Sequence, residues 1–249
     1  MMDFRVGASA AAFAMSLVIT AAPAKAAVFA DFTPDVQAAD YRWIQSGAQT
    51  GGKFFTINSA SDTTAQGVAT HFTFLDPSLS LLVFLPATFT LDATVADGNP
   101  AQSLFSLVSQ PAVGGTFSFI YSGPTTVIGG KSLISGVTNL LSGVFTDARI
   151  TGAGHSGSAN LSLATGGTLT FTSDLGSFGP KEREYSFNLL GAQPGFSAGA
   201  SKALSNFIAN GGGNFSAAAV PEPLAWSLMV MGFGGLGLML RTRRRRAPA

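Results

Sequence analysis

The chain has 249 residues, with fourteen Lys and Arg, thirteen Asp and Glu, thirty Gly, twenty-one Phe and no Cys. The missing cysteine excludes disulfides, thiolate metal sites and a cysteine nucleophile, so the fold must be held by its core alone. Arg241, Arg243, Arg244, Arg245 and Arg246 hold much of the positive charge, and between Ala27 and Ala219 seven basic residues meet eleven acidic ones, a balance of −4. That balance argues against a nucleic-acid partner, which needs a basic face.

Residues 1–26 have the layout of a secretory signal: Arg5 near the start, an apolar stretch from Gly7 to Ala22, and the small-residue site Ala24-Lys25-Ala26. Cleavage is expected after Ala26, with transfer by the Sec export machinery. The Ala-rich stretch is shorter than the ~20 residues a spanning helix prefers. An exported chain of this size without disulfides suits a bacterial source, because a passenger of this length buries enough surface unaided.

From Ala27 onward the pattern is period two with frequent turn residues, as expected of strands with one buried face. It is clearest from Leu81 to Val95, where Leu81, Val83, Leu85, Ala87, Phe89, Leu91, Ala93 and Val95 alternate with Thr88, Thr90, Asp92 and Thr94. Pro86 predicts an edge position, a bulge or a break, since it removes a ladder donor. Asp97-Gly98-Asn99-Pro100 reads as a turn. Shorter alternations occur at Val68 to Phe74, Phe117 to Tyr121, Leu161 to Leu163, Leu169 to Phe171 and Tyr185 to Leu189. The expected fold is all-β, a β-sandwich or jelly-roll of eight to eleven strands, with helical character at Val36 to Ile44 and Ser201 to Ala209. The passenger domain is expected over 27–209, followed by a flexible Gly- and Ala-rich linker at 210–220.

Three stretches imitate catalytic motifs, and each has a plainer explanation. Gly154-His155-Ser156-Gly157-Ser158 resembles a nucleophile elbow, but its fifth position is Ser and the next segment alternates like a strand, so a loop between strands is expected. Gly129-Gly130-Lys131-Ser132 ends like a phosphate loop whose first Gly is replaced by Thr125. A hydrolytic triad would have to draw His71 or His155 together with Asp147 or Asp174, and His71 is expected on a solvated strand face. Asp31, Asp35 and Asp40 offer oxygen ligands without calcium-loop spacing, and Glu182 and Glu184 are carboxylates whose separation in space is not encoded in their spacing. No catalytic residue, metal ligand or cofactor site is assigned. The alternating Thr face would suit a polysaccharide or ice surface, although Thr is also an ordinary solvent-facing strand residue.

The C-terminal 221–249 segment has three parts: Pro221-Glu222-Pro223, a charge-free apolar run of 17 residues from Leu224 to Leu240, and the Arg cluster. As a helix the run would cover about 25 Å of a hydrocarbon core about 30 Å thick. The arginines would stop transfer and stay cytoplasmic. Trp226 suits the interfacial belt, and the prolines keep the preceding segment extended.

Pro-Glu-Pro, Trp226 three residues on, Gly232-Phe233-Gly234, more apolar chain and the final Arg run together resemble the PEP-CTERM sorting signals of Gram-negative bacteria, in the PEPxxW variety common in α-proteobacteria. Ser227-Leu228-Met229 departs from the usual Ala-Met-Met and leaves the three-part layout intact. The resemblance covers Val220 to about Arg246. It implies recognition of Pro221, Glu222, Pro223 and Trp226 by an exosortase, removal of the helix and basic tail, and a passenger linked to exopolysaccharide, biofilm or surface display. The same tag also carries an ice-binding C-terminal label, which concerns the tag and not residues 27–209. The expected course is thus export, transient anchoring in the inner membrane and display at the surface or in the matrix.

Overall fold

The computed structural model describes residues 26–35, 40–178 and 183–218. Ala24, Glu182 and the whole of the sorting signal, with Pro221, Glu222, Pro223, Trp226, the apolar run and the arginines, lie outside the described residues. No helix among the described residues is long and apolar enough to cross a membrane.

The described chain is all-β. In order it forms β1 (Ala26–Pro34), β2 (Tyr41–Gln45), β3 (Gly52–Thr56), β4 (Val68–Phe74), β5 (Leu85–Val95), β6 (Gln102–Leu104), β7 (Leu107–Tyr121), β8 (Thr126–Ile128), β9 (Lys131–Leu133), β10 (Asn139–Ala153), β11 (Ala159–Thr172), β12 (Glu184–Gln193), β13 (Phe207–Asn210) and β14 (Gly213–Ala218), plus one 3₁₀ turn at Pro77–Leu79. The pair β8 and β9 is a separate hairpin, and the other twelve strands belong to one sheet in which every neighbouring pair is antiparallel.

The ladder runs all the way round. One edge of β5 pairs with β7, while its other edge pairs first with β4 and then with β3. In the same way β12 pairs on one edge with β11 and on the other with β14 and then β13. Strands β1, β4 and β14 fill one half of the remaining gap, and β2, β3 and β13 fill the other. The two walls that face each other across the core, as the sheets of a sandwich would, are therefore parts of one hydrogen-bonded sheet. Closure of this kind leaves few unpaired strand edges.

The interior is aromatic. Phe32 on β1 lies 4.9 Å from Phe89 on β5, 4.8 Å from Phe119 on β7 and 5.5 Å from Phe187 on β12, ring centre to ring centre. These contacts join one wall to the other, and they explain how a chain without disulfides closes its fold. Gly143 lies opposite Phe117 in the β10–β7 ladder, and a Cβ there would fall 2.3 Å from that ring, so the glycine makes room for it.

The alternation of β4, β7, β11 and β12 matches the sequence reading, with the two segments around Leu163 and Leu169 merged into one bulged strand. The long alternation is shorter than expected: β5 begins at Leu85 beside Pro86, and Leu81 and Val83 are exposed. Neither helical stretch is helical where described, since Tyr41 to Gln45 and Phe207 to Asn210 are strands with alternating burial. The expected linker is also corrected, because Gly213 to Ala218 is β14, paired with both β1 and β12.

The ring gives the molecule two poles. Both described ends, Ala26 and Ala218, face each other in the β1–β14 ladder at one pole, together with the β4–β5 turn and the β8–β9 hairpin. At the far pole lie the loops at 46–51, 96–101, 154–158 and 194–206 and the β6–β7 turn at Phe105 and Ser106.

Candidate functional site

The elbow-like stretch 154–158 is the loop from β10 to β11 at the far pole. His155 sits at φ 62° and gives its N–H to the Phe196 carbonyl at 2.7 Å. Ser156 Oγ donates toward the carbonyls of Ala153 at 2.7 Å and Ser158 at 2.9 Å, and accepts from Ser158 N–H at 3.3 Å. The hydroxyl is spent on shaping a turn, and a strand follows where an elbow has a helix.

The other triad candidates lie elsewhere. His71, on the outer face of β4, is paired with Asp35 at 3.3 Å and stacked on Phe84 with ring centres 4.0 Å apart. It lies on the outer face as expected, half-buried because the Phe84 ring covers it. Asp174 lies at the terminal pole, where Oδ2 accepts the Asn139 N–H at 2.8 Å. Asp147 is exposed at φ 52°, in a bulge of β10. The structure does not bring these groups together with Ser156.

Gly129 and Gly130, with φ 57° and 76°, form the two-residue turn of the β8–β9 hairpin. Positive φ at both central positions is the hairpin requirement for a type I′ turn, which accounts for the glycine pair without a phosphate.

The acidic candidates also separate. Glu184 is exposed at the start of β12, and Asp31 lies within β1, where burial raises its carboxyl above the ordinary range against a hydrogen bond from Thr73. Asp40 is buried, with 1% of its surface exposed. Burial pushes its pKa up to about 6, against the hydrogen bond from Gly211 N–H at 3.4 Å to Oδ2. Among the described residues its Oδ1 and the neighbouring Tyr41 hydroxyl have no hydrogen-bond partner, and burial together with the Asp40 charge raises the Tyr41 pKa. Among the described residues no group of three or more His, Cys, Asp or Glu is placed to hold a metal ion.

The hydroxyl face foreseen from the Thr alternation is present on the outer wall. Thr90, Ser118, Ser142 and Thr172 stand in one register row across β5, β7, β10 and β11. The next row is Asp92, Thr116, Val144 and Thr170. Beyond it Thr146 and Thr168 share a hydroxyl hydrogen bond of 2.7 Å. A shallow depression of about 300 Å³ runs between Thr90, Ser118, Ser142 and Thr172. Neighbouring strands stand about 4.8 Å apart, so the rows offer hydroxyls at regular spacing to a polar, uncharged ligand. Those two rows carry no aromatic side chain on which a sugar ring would stack.

Sequence reasoning missed two features. One is the burial of Asp40, which sits one residue before an aromatic-rich strand. The other is the apolar character of the terminal pole, where Leu81 and Val83 continue a period-two pattern that the backbone abandons. Comparison with known proteins adds nothing to assign the chain: no family model, no curated protein and no solved structure matches it.

Proposed function

We propose that the chain is an exported bacterial surface or extracellular-matrix protein carrying a C-terminal signal of the PEP-CTERM type, processed by an exosortase. Its sandwich- or jelly-roll-like passenger serves a structural or adhesive role in exopolysaccharide or biofilm, without catalysis. The tripartite tail and the signal at the other end motivate the reading. The observation that carries it into three dimensions is the pairing of Ala26 with Ala218. A precursor held by export signals at both ends must present both ends to one membrane, and a passenger whose ends leave from adjacent strands does so without rearranging.

Intact-mass measurement of the protein recovered from its native host tests this. The expected product starts at Ala27 and lacks Arg241 to Arg246; a surface form that retains them would reject the sorting assignment.

A second reading, a carbohydrate-binding module, is favoured by the register rows of Thr and Ser. Retention of the protein on neutral polysaccharide, lost on Ser118→Glu/Ser142→Glu, is the expected result, and equal retention by wild type and variant would exclude this face.

A further inference from the structure

Large apolar side chains are unevenly distributed over the described surface. Of the thirteen that are exposed, eight lie at or beside the pole where the chain ends emerge. Val28 belongs to β1 itself and Leu75 follows β4. The other six are Leu81, Val83 and Phe84 in the β4–β5 turn and Val127, Ile134 and Val137 around the β8–β9 hairpin. Phe84 is 65% exposed, Val127 68% and Val137 66%. The two loops lie against each other, since a Cβ on Gly129 would fall 3.3 Å from Leu81. Phe84 also holds a φ of 51°, a conformation costly for a bulky residue, and apart from its stacking on His71 its ring is left exposed. Clustering of this kind marks an interaction surface more often than chance exposure does.

The length of chain beyond the pole says what meets it. From Ala218, the last residue of β14, only Ala219, Val220 and Pro221-Glu222-Pro223 precede the apolar run that starts at Leu224. Six residue steps span at most about 21 Å when fully extended. At the other end, Ala22, where the signal's apolar stretch stops, is four steps from Ala26, at most about 14 Å. Any embedding of these segments brings the terminal pole, and the apolar side chains exposed there, close to the bilayer surface.

We infer that the terminal pole is a membrane-contacting surface of the precursor: Leu81, Val83, Phe84, Val127, Ile134 and Val137 dock the passenger on the lipid interface beside its own C-terminal segment. The inference rests on the anchoring reading above and adds a lipid-facing surface on the passenger. Apolar side chains at the headgroup level gain from burial without spanning the core. Docking would also hold Pro221-Glu222-Pro223 close to the membrane plane.

The cysteine-free chain makes the test clean. Full-length protein is reconstituted into vesicles of zwitterionic and anionic phospholipid, with single-cysteine variants Phe84→Cys, Val127→Cys and Val137→Cys at the terminal pole and Phe105→Cys and Leu190→Cys at the far pole. Each carries an environment-sensitive fluorophore, and quenching by nitroxide-labelled lipid is read. The expected result is several-fold stronger quenching at 84, 127 and 137 than at 105 and 190. Resistance of the wild-type chain to alkaline extraction is measured alongside. A chain washed out by alkali overturns the anchoring reading. A chain that is retained, yet has labels at 84, 127 and 137 quenched no more than those at 105 and 190, overturns the docking surface alone. Protection of those labels that rises with protein density and ignores lipid quencher assigns the pole to a second copy and also overturns it.

Discussion

The two poles of the sheet solve the problem of closing its ends in different ways. At the far pole, loops are laced to one another by polar contacts: Ala101 N–H to the Lys202 carbonyl at 2.9 Å, Ala203 N–H to the Gln49 carbonyl at 2.7 Å, and Asn99 N–H to the Thr50 carbonyl at 3.0 Å. Gln110, fully buried, clamps two of those loops by donating to the Asn99 carbonyl at 2.8 Å and accepting from Leu204 N–H at 3.2 Å. Trp43, also fully buried, donates its indole N–H to the Leu204 carbonyl at 2.8 Å. The terminal pole has loop hydrogen bonds of its own, such as Tyr121 N–H to the Thr138 carbonyl at 2.9 Å, but it also carries eight of the thirteen exposed large apolar side chains. The far pole exposes fewer, chiefly Phe105 and its neighbours Leu104 and Leu107, and has the buried polar clamp that the terminal pole does not share.

This difference makes quantitative demands. Trp43→Ala should be the most damaging change, about 3–5 kcal/mol in denaturant unfolding, because it removes a large buried ring and orphans a carbonyl. A loss below about 1 kcal/mol would show that the far pole is not what closes the barrel. Next, Gln110→Leu should cost about 2 kcal/mol, since it leaves the buried Leu204 N–H without its acceptor and the half-buried Asn99 carbonyl without its donor.

Asp40, at the joint between β1 and β2, gives a pH signature. Its folded pKa of about 6 lies above the unfolded value, so the native state holds more protons between pH 4 and 6. This group's contribution therefore falls as pH rises through that window. Asp40→Asn should flatten the dependence and gain on the order of 2 kcal/mol at pH 8, and urea midpoints at pH 4.5 and 8 measure both. The smallest effect is expected at the terminal pole, where Val127→Ser and Val137→Ser should each change stability by no more than about 0.5 kcal/mol. Costs as large as that of Gln110→Leu would mean that these side chains serve the fold and are not reserved for a partner.

The central strands were legible because burial on one face imposes period two, as in β4 with Val68, Thr70, Phe72 and Phe74 all buried. Strands β2, β3, β13 and β14 were not, because two strand segments share each of these positions in the ring. Each segment is too short to show a period, and Gly211-Gly212 looks like a linker although it only separates two consecutive strands. A Cβ on Gly211 would fall 1.8 Å from the Asn188 carbonyl oxygen, so these glycines mark close packing, which composition alone makes look like flexibility. Ser156 shows the reverse case: the Gly-His-Ser-Gly-Ser string at 154–158 imitates a reactive turn, and the Ser156 hydroxyl is spent on the loop.

The most direct test of the one-pole account is a cross-link between the strands that carry the chain ends. Val28 and Ser216 are register partners on β1 and β14, and opposed antiparallel residues stand about 4.5–5.5 Å apart, within disulfide range. In the otherwise cysteine-free chain, Val28→Cys with Ser216→Cys should oxidise to an intramolecular disulfide in the folded full-length protein, without loss of export. Two free thiols in folded, exported protein would contradict the shared pole, and with it the membrane-facing geometry.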